Sequence, residues 1–548
     1  MIYKSKTWFL IALFSLPLVI FFVFFFRFAL NIPFEDDLGI VHTLAVDLPK
    51  ALTFREKFST FIMAHNEHPI TVFRFFLWAY HAIFQDYNFK IIALIGNLIL
   101  LSSIFYFFRQ LRIVKLSWIW LIPIPYIIFS LYIHENALWA LCAFQHNAIM
   151  GLYFWGLYGC ILHKNSSPRF FGGIFLIICT SVCSGNGLLG FIIVIAILLF
   201  EKRWKDGLIV SATFILVKLI LLNNHYYQEP SPLPQIIKGF FLLCGSIIKV
   251  SSKDLMIMLL GMSITICIII AGLRILFGKL NEKERTYYLL TLGISLFCLG
   301  TFVGIAVYRD VVSSAFSDRY RIYTQMLWIS IYLFSIPLII KFNFQRIVYP
   351  AILSLSIGYF CYSYYVEYPN FVYSYQQRWL IPVNYRFGGT NLSGCYYRVY
   401  FDETLKTLEK EQSYQIPKPN FDPSQIEKTK QIFNLKAEKL NDEIVHLYAD
   451  EGSIEGNPDD NSLFITLENG KGTQLFLPVF HKRNTIGGFL QTKKLLKEGF
   501  EMTITKGCLP DDFYKVMLVK QNNRKAQLYA TNLVLDSQKF TIIETAKF

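Results

Sequence analysis

The chain has 548 residues, 54% of them hydrophobic and 17% aromatic, with only 16% charged. Soluble domains carry about 25% charged residues, so a wholly aqueous protein is excluded. The net charge of +14 does not mark a nucleic-acid binder either: from Val366 onward 23 Lys/Arg meet 22 Asp/Glu, and the excess lies in short loops between apolar runs.

In chain order, apolar runs near 8–30, 88–108, 117–133, 145–163, 170–184, 187–201, 207–222, 255–277, 286–307, 322–340 and 346–365 predict about eleven membrane spans. Lys4 and Lys6 precede the first, which places the N-terminus inside. That run is too long for a signal h-region and lacks a small-residue cleavage site, so it reads as a retained anchor. The basic loops Arg109–Arg112, His163–Arg169, Glu201–Lys205, Lys279–Arg285 and Lys341–Arg346 then all fall on the cytoplasmic side. An odd number of spans puts the tail outside.

Three outer segments follow. Asn31–Lys90 contains helical stretches such as Ile70–Phe84, suited to the membrane interface. In Leu222–Asp254 a loop with Pro230, Pro232 and Pro234 leads into Gln235–Val250, apolar enough to dip into the bilayer without crossing. The third is Tyr308–Tyr323.

Past Tyr365 the composition changes. Asp402–Phe433 reads as a charged helix. Strands are expected at Glu443–Tyr448, Leu463–Leu467, Gln474–Val479, Phe500–Ile504, Tyr514–Val519 and Ala526–Tyr529, with turn signals at Asn469-Gly470 and Gln521-Asn522-Asn523. The expected architecture is an all-α polytopic membrane domain over 1–365, followed by a β-rich, sandwich-like extracytoplasmic domain over 366–548.

The ten cysteines form no C-x-x-C pair, so no zinc or iron–sulfur site is indicated. Cys395 and Cys508 lie in the tail, where an oxidising compartment would permit pairing. Gly185-Asn186-Gly187-Leu188-Leu189-Gly190 matches a dinucleotide-binding pattern by letter. It falls at a turn between spans, without the preceding strand that the motif needs.

Polar residues gather on the predicted outer side. The acidic triplet Glu35-Asp36-Asp37 follows the first span, and acids at a membrane edge are functional candidates. Glu67 and His68 lie in the same segment. Glu135 and Asn136 end one span, Gln145 begins the next, and Asn186 sits at a later turn. Arg309, Arg319 and Tyr320 precede the tenth span.

Each has a plainer reading. The acids would cap a helix, Glu67-His68 would form a turn set by Pro69, and Glu135 and Asn136 would clamp helices together. Gly185–Gly190 would pack helices closely, and the arginines would snorkel. Against this, a carboxylate suits proton removal from an acceptor hydroxyl. Arginines suit a phosphate whose charge grows as it leaves. A metal held by His68 and an aspartate is left open, since two or three ligands do not define a site.

Phe34-Glu35-Asp36-Asp37, Asn66-Glu67-His68-Pro69, Glu135-Asn136-Ala137-Leu138-Trp139 with Gln145, Ser184-Gly185-Asn186-Gly187 and Ser317-Asp318-Arg319-Tyr320 give the chain, over Met1–Tyr365, a resemblance to GT-C-fold membrane glycosyltransferases. The resemblance implies transfer from a polyprenyl-phosphate sugar, with inversion, to an envelope glycan, glycolipid or protein on the extracytoplasmic side. It makes Asp36 or Asp37 the base. Arg319, Arg309 and His68 would hold the phosphate, Glu67, Glu135, Asn136 and Gln145 would order the pocket, and Glu35, Asn186 and Tyr320 would join the substrate-binding residues. The expected setting is a bacterial inner membrane; the sugar and any divalent-metal requirement are not implied. An envelope-glycan polymerase or ligase using diphosphate-linked glycans, and a flippase-type transporter, are the alternatives. The latter expects internal repeats, and none is evident.

Overall fold

The computed structural model describes residues 2–66, 68–221, 229–247, 254–309, 317–388, 398–419, 422–450, 463–472, 474–506, 509, 511–522 and 525–544. The chain divides into two compact units. Met1–Ala29, Asp47–Tyr80 and Lys90–Tyr364 form the first; Leu30–Val46, His81–Phe89 and Tyr365–Phe548 form the second.

The first unit is helical, and its helices follow the apolar runs. Among the described residues, six helices are long and apolar enough to cross a membrane: Thr7–Phe28, Phe89–Ile113, Asp254–Phe277, Glu282–Tyr308, Asp318–Lys341 and Gln345–Phe387. Trp118–Ile128 and Leu131–Leu138 make a seventh if taken as one span, bent by 52°. The remaining apolar runs form shorter helices, among them Pro168–Ser181, Gly185–Phe200 and Leu233–Gly245.

A bend in an apolar setting frees backbone groups that must find other partners. Here the Leu131 amide donates to Ser363 Oγ at 2.9 Å, and Gln325 Nε2 donates to Ser130 Oγ at 2.9 Å. Helix packing also depends on small residues. A Cβ on Gly245 would stand 1.9 Å from the Ile257 carbonyl oxygen, and one on Gly261 2.0 Å from that of Phe241. Leu233–Gly245 therefore lies backbone to backbone on Asp254–Phe277.

Among the described residues of the second unit, nine strands form two sheets. They are β1 Glu427–Phe433, β2 Lys436–Asn441, β3 Ile444–Ala449, β4 Leu463–Asn469, β5 Gln474–Pro478, β6 Phe500–Thr505, β7 Phe513–Asn522, β8 Lys525–Asp536 and β9 Thr541–Glu544. The larger sheet runs β1-β8-β7-β4-β5 with β9 also on β8; the smaller is β2-β3-β6. Pairing is antiparallel except between β1 and β8. Apolar residues of both sheets, such as Val445, Leu447, Met502, Ile465, Val516 and Leu535, share one core. The other face of the large sheet, with Phe464, Phe476 and Val519, packs on Leu380 and Val383.

All six expected strands are present, and the Asn469-Gly470 signal closes the β4–β5 hairpin, where Gly472 takes a φ of +78°. One expectation is corrected. The helix, Arg398–Lys410, covers only the start of the charged stretch; Pro423–Gln425 is a 3-10 turn, and Glu427–Phe433 is strand β1. The partner strand β8 supplies order that a local pattern of lysines and glutamine does not. Cys395 and Cys508 lie outside the described residues, as do 222–228 of the proline-bearing loop.

Candidate functional site: a polar network among apolar helices

Within the first unit, side chains distant in sequence meet in pairs. His65 and His68 exchange backbone hydrogen bonds of 2.9 and 3.0 Å across a turn, with Asn66 at a φ of 52°, a conformation asparagine tolerates. His68 Nε2 lies 3.4 Å from Arg309 Nη2. A guanidinium carries only donors, so the imidazole nitrogen accepts in this contact. Glu67 and Asp310 lie outside the described residues.

The second meeting joins the end of the bent pair to the turn before Arg321–Lys341. Arg319 Nη2 stands 3.6 Å from Glu135 Oε1, and Asn136 Nδ2 donates to the Arg319 carbonyl at 3.0 Å. The Arg319 guanidinium lies 5.6 Å from the centre of the Trp139 ring. Arg319 is thus gripped at both side chain and backbone by one short helix, His134–Leu138. Its side chain remains 39% exposed, enough to reach a ligand.

Gln145, His146 and Asn147 belong to a π-helical turn, Ala143–Ala148. Such turns are rare and recur at functional sites. His146 Nδ1 lies 3.2 Å from the Tyr323 hydroxyl, and its ring meets Tyr320 edge-on at 5.5 Å. Asn186 Nδ2 reaches the same Tyr323 hydroxyl at 3.1 Å and Thr301 Oγ1 at 2.9 Å. The Tyr323 hydroxyl is also 3.5 Å from the Gln145 carbonyl. One phenol therefore ties three helices together.

The glycine-rich run is a 3-10 turn, Gly185–Leu188, between Pro168–Ser181 and the next helix. A Cβ on Gly187 would come 1.9 Å from the Thr180 carbonyl oxygen. Its small residues serve backbone approach.

Arg321 went unremarked in the sequence, although it stands two residues beyond Arg319 in Ser-Asp-Arg-Tyr-Arg. It is 1% exposed; its Nε lies 3.0 Å from Asp318 Oδ1, and Nη1 donates to the Ser246 carbonyl at 2.9 Å. The Tyr132 ring centre is 4.7 Å from its guanidinium. This arginine braces the turn that carries Arg319 and Tyr320.

The acidic triplet belongs to the second unit. Asp36 is the N-cap residue of Asp37–His42 by position but makes no side-chain cap bond. Capping therefore does not explain it. Asp37 is buried and its Oδ2 accepts from the Phe34 amide at 3.2 Å, which closes the turn at Glu35, whose φ is 47°. The Phe34 ring lies beneath Arg378, 4.7 Å away. At the far end of the helix, His42 Nδ1 and Thr404 Oγ1 are 2.8 Å apart. The chain then enters another π turn, Thr43–Asp47.

The structure thus joins His68 to Arg309, Glu135 and Asn136 to Arg319, and Gln145 and Asn186 through Tyr323. Glu35, Asp36 and Asp37 are grouped in the other unit. No protein-family model matches this chain, and no curated protein or solved structure does either.

Proposed function

We propose that the protein is an integral-membrane glycosyltransferase of GT-C type. It moves a sugar from a polyprenyl-phosphate donor to an envelope glycan, glycolipid or protein on the extracytoplasmic side. The observation that carries the reading is the network of the first unit, in which Arg319 and Arg309, each beside a polar partner, are held among apolar helices. Two fixed arginines suit a monophosphate that gains charge as the glycosidic bond breaks. The eleven-span topology, with the N-terminus inside and the tail outside, belongs to the same proposal.

Asp36 is the proposed general base. It is half-buried and makes no cap bond. It would take the proton of the acceptor hydroxyl as that oxygen attacks the anomeric carbon, with inversion. Buried Asp37 shapes the turn that presents it. Arg321, through Asp318, is a positioning residue.

The test is sugar transfer in proteoliposomes given a panel of polyprenyl-phosphate sugars, comparing wild type with the Asp36→Asn/Asp37→Asn double variant. Transfer by the wild type alone is the expected result. Equal transfer by both moves the base elsewhere, and turnover only with diphosphate-linked glycans supports a polymerase or ligase. The bend at Phe129–Ser130 favours transport instead, because transporters use broken helices. A transporter would move lipid-linked glycan across the bilayer and consume no donor.

A further inference from the structure

The second unit carries a cleft on the outer face of the sheet β2-β3-β6 that the transfer reading leaves unused. Strand alternation decides its lining. Val445, Leu447 and Ala449 of β3 enter the core, so His446 and Tyr448 face outward. In register, Glu438 stands opposite His446, and Glu501 opposite Tyr448. Phe480 pairs with Glu501 through two backbone hydrogen bonds, 2.8 and 2.9 Å, and so brings Lys482 alongside. The cleft encloses about 340 Å³, within the span of small-ligand sites, roughly 300–1,000 Å³.

Its groups are held by one another before any ligand arrives. His446 Nδ1 lies 2.9 Å from Glu438 Oε1, and Nε2 lies 3.7 Å from Glu501 Oε2. Lys482 Nζ is 2.7 Å from the same Glu501 oxygen. Lys436 pairs with Asp450 and lies over the Tyr448 ring. The His446 and Tyr448 rings sit 5.3 Å apart and 21° from parallel, stacked one against the other.

This mixture selects its ligand. Carboxylates and ammonium groups alternate at close range, so neither an anion nor a cation finds a field of one sign. An apolar molecule would strip water from charges and return nothing to them. A ligand that suits both has hydroxyls that donate to Glu438 and Glu501 and accept from Lys482, together with C–H groups that pack on the outer edge of the His446–Tyr448 stack. We propose that this cleft binds a short segment of neutral glycan. Binding here requires no turnover, so it stands or falls apart from the transferase reading.

The test uses the full-length protein in nanodiscs and saturation-transfer NMR. The probes are neutral di- to tetrasaccharides of glucose, mannose, galactose and N-acetylglucosamine, with glucuronate and glucosamine oligomers as charged controls. Wild type is expected to bind at least one neutral series. Tyr448→Ala is expected to weaken that binding at least tenfold, and the near-isosteric Glu438→Gln/Glu501→Gln protein several-fold with the sheet intact. The Asp36→Asn/Asp37→Asn protein should bind like wild type even where it transfers nothing. Binding of charged oligomers alone, no binding, or binding indifferent to both cleft variants overturns the proposal.

Discussion

The two regions that carry the candidate chemistry are built in opposite ways. In the first unit Arg319 is located by contacts nearly two hundred residues away, at Glu135, Asn136 and Trp139. In the second unit Asp37 is located by Phe34, three residues back. The first arrangement exists only when helices assemble; the second is written into a single turn. A fixed arginine paired with glutamate suits a group that holds a ligand still. The turn that Asp37 closes presents Asp36, a half-buried carboxylate beside the positive-φ Glu35, and such a place suits a group that meets its substrate.

Substitutions can break this contrast, beginning with the acids. Asp36→Asn is expected to lower transfer by about 10²- to 10⁴-fold, the usual worth of a general base, with the melting temperature unchanged. Asp37→Asn keeps an acceptor for the Phe34 amide and should retain far more activity. The reverse order in the transfer assay would make the buried carboxylate the base.

Arg319→Lys keeps the charge but loses the planar contact with Trp139 and the fork toward Glu135, so transfer should fall at least about tenfold. Wild-type rates in that variant would reduce Arg319 to a surface charge.

Gly187→Ala tests assembly without touching chemistry. Its Cβ would collide with the Thr180 carbonyl, at a cost of about 1–3 kcal/mol, read as earlier thermal unfolding in detergent. An unaltered unfolding curve would show that the Gly185–Leu188 turn yields freely.

The smallest expected effect is a pH slope in the second unit. Burial holds the His481 imidazole below its ordinary range, opposed in part by the Gly499 and Lys497 carbonyls. An unfolded histidine ionises near ~6.5. The stabilisation is therefore present above that pH and lost as pH falls toward the lower folded value. Unfolding between pH 7 and pH 5 should show this loss, and His481→Gln should flatten it. A slope identical in both proteins would assign the proton uptake to another group.

Much of this was legible in the chain. Apolar periodicity marked where helices lie, because lipid-facing and core-facing positions are both apolar, but it hid the bend at Phe129–Ser130. That bend depends on Gln325 and Ser363, which no local window contains. Strands with a buried face were found. β1 and β2 were missed because their exposed lysines and glutamates carry no alternation, and β9 because it is four residues long. The site residues were visible as polar letters at span ends. Their pairing through Tyr323, and the support Arg321 gives the Arg319 turn, required three dimensions. So did the grouping of Glu35–Asp37 with the tail.

The π turn at Ala143–Ala148 has a further consequence, in the currency of insertion and deletion. A π turn accommodates one residue more than an α turn, as though a residue had been slipped into a regular helix. One residue in such a helix is about 100° of rotation. Removing it would swing one flank of the segment round by that angle and part His146 from Tyr323 and Asn147 from Asn97. Ala143 and Ala148 are fully buried, so a larger side chain at either would overpack the core, and the number of residues between Trp139 and Ile149 is constrained as well. What descent must preserve at this point is a count.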